Sequence, residues 1–172
     1  MQNGSFLSRL WIRHQRYLPH LRRATLISFI IPLILLDTYT YLTTRENIGP
    51  IFLGELFQIL SFLPYVYAKD RRLGIFTFSA TLLIVFYASA SQLSWAWILV
   101  YAIVADLIAA RKPKLALVQL SVFFLAQLIA GIPFLPVAVW TVFWGTLFAS
   151  LGLLIRNTKD RLEEMQREAE RS

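Results

Sequence analysis

The chain has 172 residues, of which 57% are apolar and 16% charged, with a net charge of +7 and a mean hydropathy of +0.57. Soluble domains hold about 45–50% apolar and about 25% charged residues, so these figures exclude a soluble globular domain, a disordered tail and a nucleic-acid-binding module. The absence of cysteine excludes a disulfide framework and any thiolate metal site.

Residues 1–23 form a basic segment. Phe6, Leu7, Leu10, Trp11, Tyr17 and Leu18 recur at helical spacing, punctuated by Arg9, Arg13 and Arg16 and closed by Pro19. That pattern predicts an amphipathic helix lying on a membrane surface. It is not a cleaved leader, because basic residues continue to Arg23 and no small-residue cleavage site follows the first apolar run. His14 and His20 have no partners at metal-ligand spacing.

Six apolar runs follow, at 24–42, 51–68, 73–92, 95–110, 115–131 and 137–155. A spanning helix needs about 20 apolar residues, since each rises ~1.5 Å against a hydrocarbon core of ~30 Å. The runs are long and show no period-two alternation, which selects helices over barrel strands. The expected fold is an all-α polytopic membrane protein, with a six-helix transmembrane bundle over residues 24–155. Sixteen of the 17 basic residues fall on one side of that arrangement, leaving only Arg45 on the other. Positive charge is retained in the cytoplasm, so both termini are expected there.

Three acids interrupt the runs. A charge at the bilayer centre costs at least about 2.5–3.5 kcal/mol, so such residues are functional candidates. Asp37 and Glu55 fall at matched depth near the outer ends of the first two runs. They are either a polar sensing pocket for a cation or proton, or two interfacial acids met by water or a nearby base. Asp106 stands one turn before the basic cluster at 111–114 and is expected to reach towards it. Trp95, Trp97, Trp140, Tyr39 and Tyr41 gather near the outer ends, as an interfacial belt does. Pro32 and Pro64 are expected to kink their helices. Gly145, Ala149 and Gly152 make a small-residue stripe that permits close helix packing, within the subunit or across a dimer. No phosphate loop, nucleophile elbow or zinc spacing is present, so no catalytic residue, cofactor or metal site is assigned.

At residue 156 the composition changes to RNTKDRLEEMQREAERS, which contains ten charged residues in 17 and no Gly or Pro. Ile155, Thr158, Leu162, Met165 and Ala169 alternate at spacings of three and four, the seam of a two-stranded coiled coil. With no breaker after the last apolar run, span and tail are expected to form one rod and to associate as a homodimer. About two heptads beyond the membrane are too few to hold a dimer alone.

The order PYVYAKDRRLGIFTFSATLLIVF, WAWILVYAIVADLIAARKPKLALVQL and IRNTKDRLEEMQREAERS resembles the membrane sensor region of multi-span bacterial histidine kinases that pair with NarL-type response regulators. Pro64 with the basic residues at 69–72, the 109–113 turn and the 156–172 linker carry the likeness. It implies a sensor and signal-transmission module in a bacterial inner membrane, acting on a response regulator through a kinase domain. The family's histidine box and ATP-binding domain would follow residue 172. The alternatives are a small six-helix transport component of the vitamin-uptake, substrate-binding type, and a cell-envelope assembly protein. Lipid is the expected surrounding partner; nucleic acid is not expected.

Overall fold

The computed structural model describes residue 9 and residues 20–44, 49–89 and 97–172. The expected surface helix at 6–18, apart from Arg9, together with His14, Arg45, Glu46 and Trp95, lies outside those residues. Among the described residues the chain is all helical, without strands. Six helices follow in order: α1 (Ile30–Thr44), α2 (Gly49–Tyr67), α3 (Arg71–Ser89), α4 (Trp97–Ala109), α5 (Pro113–Ile129) and α6 (Phe134–Arg171).

Two helical stretches among these residues are long and apolar enough to cross a membrane, His20–Thr43 and Phe134–Arg171. This narrows the expectation of six full spans. The apolar stretches Phe52–Tyr67, Trp97–Ala109 and Pro113–Ile129 are shorter. A helix the length of α4 rises about 20 Å, less than the ~30 Å hydrocarbon core. Helix α3 has 19 residues, but Arg71, Arg72, Thr77, Ser79 and Thr81 dilute its apolar character.

Local chemistry sets the breaks. Pro32 has no N–H to give the Ser28 carbonyl one turn earlier, and the helix that begins at His20 loosens to a turn at Phe29, whose N–H reaches Leu26 O at 3.2 Å. Pro64 sits inside α2. Helices α4 and α5 end alike: Lys112 N–H bonds Leu107 O at 2.8 Å, and Ile132 N–H bonds Gln127 O at 3.1 Å. Each closure passes through a left-handed residue, Arg111 (φ 61°) or Gly131 (φ 84°), and a proline sits at the start of the next helix, Pro113 as the first residue of α5 and Pro133 immediately before α6.

The central helix is α4, whose residues from Ile98 to Ala105, with Leu107, are buried. A helix apolar all round belongs inside a bundle. It packs on α5 and α6, while α3 bridges α2 and α5. Leu26 and Leu33 bring the N-terminal helical stretch into the same core. Two glycines allow backbones to touch. A Cβ on Gly74 would stand 2.5 Å from the Tyr65 Cα, and one on Gly152 would stand 2.5 Å from the Ala105 carbonyl oxygen. The rest of the partition is inverted: large apolar side chains such as Leu35, Tyr39, Leu135 and Val142 face outward, whereas Asp37, Glu55, Gln58, Ser61 and Gln119 are buried.

Candidate functional site

One end of the bundle holds the α2–α3 and α4–α5 turns and releases the tail. There Asp106, one turn before the end of α4, is gripped from three directions. Arg22 Nε donates to Oδ1 at 2.8 Å and its Nη2 to Oδ2 at 2.9 Å, a two-point fork that fixes position as well as charge. The Tyr65 hydroxyl, from the last turn of α2, donates to Oδ2. Arg71 Nε, at the start of α3, lies 3.4 Å from the same oxygen. Arg22 also donates from Nη1 to Val66 O at 3.2 Å and covers the Tyr65 ring, its guanidinium carbon 5.6 Å from the centroid. One carboxylate thus ties four segments together.

Asp106 therefore does not serve the basic cluster at 111–114. Arg111 turns instead to the exit helix, where its Nη2 donates to both carboxylate oxygens of Asp160, at 2.6 and 2.7 Å. Arg22, Tyr65, Arg71 and the Arg111–Asp160 pair are the residues sequence reasoning missed. With 17 basic residues in the chain, sequence offers Asp106 too many partners to choose among.

Asp37 and Glu55 are both buried, at 8% and 2% exposure, on α1 and α2. Gln58, one turn after Glu55 on the same face of α2, has no exposure, and neither its Oε1 nor its Nε2 has a hydrogen-bond partner. Gln119 is equally enclosed, but its Oε1 accepts from Ser79 Oγ at 3.0 Å. The signal for Gln58 was present: Glu55, Gln58, Phe62 and Tyr65 share one helical face by their spacing of three and four. Among the described residues no three metal-ligating side chains come together.

Helix α6 runs unbroken for 38 residues from the bundle into the tail. Ile155, Thr158, Leu162 and Met165 are exposed along it, and Ala169 is half-buried. Asp160, two residues from both Thr158 and Leu162, lies on the opposite face by helical geometry, so Arg111 holds the tail with its seam outward. Of the small-residue stripe, Gly152 lies so close to α4 that a Cβ there would clash, a Cβ on Gly145 would stand 3.5 Å from Leu120 of α5, and Ala149 is half-buried. At the other end of the bundle Trp97 lies 5.3 Å from Trp144, which stacks on Trp140.

Among the described residues these features define an all-helical chain with two membrane-length helical stretches, one of which becomes a charged tail. The chain matches no protein-family model, and neither a curated protein nor a solved structure is significantly similar to it.

Proposed function

We propose that the chain is a six-span inner-membrane protein with both termini cytoplasmic, and that it is the sensor and signal-transmission module of a two-component histidine kinase. A stimulus in or near the bilayer changes the packing of the bundle, and α6 passes the change into a dimeric coiled coil that controls a kinase domain. The observation that carries this reading is α6 itself: a single rigid helix packed on α4 at one end and presenting an exposed Ile155–Leu162–Met165 seam at the other.

The inverted partition supports the membrane assignment, since apolar faces of this extent are not left to water. Hydroxyls on exposed surfaces are satisfied within their own helices. Thr38 donates to Ile34 O at 2.8 Å, Ser121 to Leu117 O at 2.8 Å and Ser150 to Thr146 O at 2.8 Å. That is how polar groups are accommodated where no water is available.

Single cysteines test the dimer on a background that contains none. Leu162→Cys and Met165→Cys are expected to form disulfide dimers in native membranes, and Asp160→Cys and Glu164→Cys to form few. Equal cross-linking at all four positions, or none at the seam, would remove the coiled coil from the reading. For topology, a membrane-impermeant thiol reagent on intact spheroplasts is expected to label Glu46→Cys and to spare Asp70→Cys.

A further inference from the structure

We propose that the corner of the bundle formed by Arg23, Lys69, Arg71 and Arg72 binds the head group of an anionic phospholipid that carries two phosphates. Arg71 is the starting point. Both oxygens of Asp106 are already taken, Oδ1 by Arg22 and Oδ2 by Arg22 and Tyr65. Arg71 Nε stands 3.4 Å from Oδ2, is enclosed and makes no hydrogen bond, while a quarter of the side chain is open. One carboxylate thus faces two guanidinium groups and satisfies one of them. A guanidinium has five N–H donors and no acceptor, so what Arg71 lacks is an acceptor oxygen.

Its neighbours share the deficit. Lys69 and Arg72 are exposed where α2 turns into α3. Arg23 reaches the same turn from the N-terminal helical stretch, its guanidinium carbon 5.4 Å from the centroid of the Tyr67 ring. Among the described residues none of these three is ion-paired. Asp70, the one acid in the turn, accepts the Arg72 N–H on Oδ1 at 3.0 Å and so caps the start of α3. With Arg22 and Asp106 neutralising each other, four cations here face one carboxylate. That excess fits two phosphates better than one, and guanidinium groups bind phosphate through paired N–H donors. The backbone of the corner is set in advance: a Cβ on Gly74 would stand 2.5 Å from Tyr65 Cα, so the first turn of α3 is pressed against the last turn of α2. A preformed site of this kind lowers the ordering cost of binding.

The occupant is a lipid rather than a soluble anion because apolar surface continues from the charge. Leu21, Tyr67, Leu73 and Phe76 are all exposed. Arg72 and Phe76 lie one turn apart on one face of α3, so a head group at Arg72 leads its acyl chains along that face. Basic clusters between membrane helices at head-group level are suited to holding such lipids. The inference takes from the membrane reading only that this end of the bundle lies at head-group level, and it does not require the sensor function.

The test uses the full chain in phosphatidylcholine nanodiscs, with tetraoleoyl cardiolipin as probe. The readouts are thermal melting and the lipid retained in native mass spectra after transfer to detergent. A single cardiolipin is expected to be retained, and the melting temperature to rise saturably with cardiolipin content, as for any ligand of the folded state. Phosphatidylglycerol at equal lipid charge, and sodium pyrophosphate, are expected to do neither. The double variant Arg71→Gln, Arg72→Gln is expected to retain cardiolipin at least tenfold more weakly. Arg161→Gln, Arg167→Gln removes the same charge from the tail and is expected to match wild type. Lys69→Gln, Arg72→Gln leaves the Asp106 cluster whole, and the same weakening is expected from it if the Arg71 variant does not fold. Equal effects of phosphatidylglycerol would reduce binding to surface potential, and equal effects of pyrophosphate would make the site one for a soluble anion. Either outcome, or undiminished retention in both turn variants, overturns the proposal. Failure of the membrane reading would be seen separately, as release of the chain from membranes by sodium carbonate.

Discussion

Arg22 and Asp106 lie 84 positions apart and meet through two hydrogen bonds of 2.8 and 2.9 Å. The pair closes the N-terminal helical stretch onto the central helix, and Tyr65 and Arg71 complete it from α2 and α3 respectively. Asp106→Asn keeps the shape but leaves two guanidinium groups without a counter-charge in a largely enclosed place. Breaking a buried pair in this way costs about 3–5 kcal/mol; the side chains of Arg22 and Asp106 are 24% and 11% exposed, which puts this variant near the lower figure. Equilibrium unfolding in mixed micelles should show the loss directly.

Arg22→Gln is expected to be milder, because Arg71 and Tyr65 still face the carboxylate. Tyr65→Phe removes one hydrogen bond to a charged group, worth about 1.5–3 kcal/mol. The expected order of stability in the same titration is wild type, then Arg22→Gln and Tyr65→Phe, then Asp106→Asn. An Asp106→Asn variant as stable as wild type would mean that the cluster does not hold the bundle.

The two glycines of α6 separate on a single geometric fact. A methyl group on Gly152 would sit 2.5 Å from the Ala105 carbonyl oxygen and 2.8 Å from Ile108 Cβ, whereas one on Gly145 has Leu120 at 3.5 Å. Gly152→Ala must push α6 off α4, and overpacking of this kind costs about 1–3 kcal/mol. Gly145→Ala meets ordinary contact and gains about 0.5–1 kcal/mol from reduced backbone freedom in the unfolded chain. Melting temperatures of the two variants are therefore expected to move in opposite directions.

Much of this architecture could be read locally, and the reason is visible at particular residues. Pro113 and Pro133, with the basic turns at 69–72 and 111–114, end helices through nearest-neighbour chemistry, so the expected runs at 51–68 and 115–131 fall close to Gly49–Tyr67 and Pro113–Ile129. The continuity of span and tail was also legible, since nothing between Ile155 and Arg171 can break a helix. Long-range pairing was not. Arg22–Asp106 and Arg111–Asp160 join charges that any of several neighbours could have met, and only the packing of α4 between α5 and α6 selects them. The number of full-length spans also exceeded what apolar runs alone could fix, because α4 is apolar through burial inside the bundle as well as by any contact with lipid.

Arg111 combines two opposing effects. As a non-glycine residue at φ 61° it carries a backbone penalty of about 1–2 kcal/mol. Its ion pair with Asp160 is exposed, at 64% and 38% of the two side chains, and such pairs contribute about 0.2–1 kcal/mol. Arg111→Gly is thus expected to leave the bundle as stable as wild type or slightly more so, while releasing the tail. Asp160→Asn releases the tail without the backbone gain. A spin label at Lys159 should report faster motion in both variants, and 1 M salt, with a Debye length of about 3 Å, should bring wild type towards them. Unchanged mobility in both would show that the pair does not position the tail.

Thr158 occupies a seam position where two-stranded coiled coils favour leucine. Its hydroxyl already donates to Leu154 O at 2.9 Å within the same helix, so replacing it leaves no other side chain without a partner. Thr158→Leu is expected to tighten self-association of the tail roughly tenfold, which corresponds to about 1.4 kcal/mol, read as resonance energy transfer between labelled copies in proteoliposomes at graded lipid dilution. Leu162→Glu would place two carboxylates against each other across the same seam and is expected to abolish the transfer. The two substitutions act in opposite directions only if the exposed face of α6 meets a second copy of itself. Equal transfer in both variants would show instead that the face is occupied by something else.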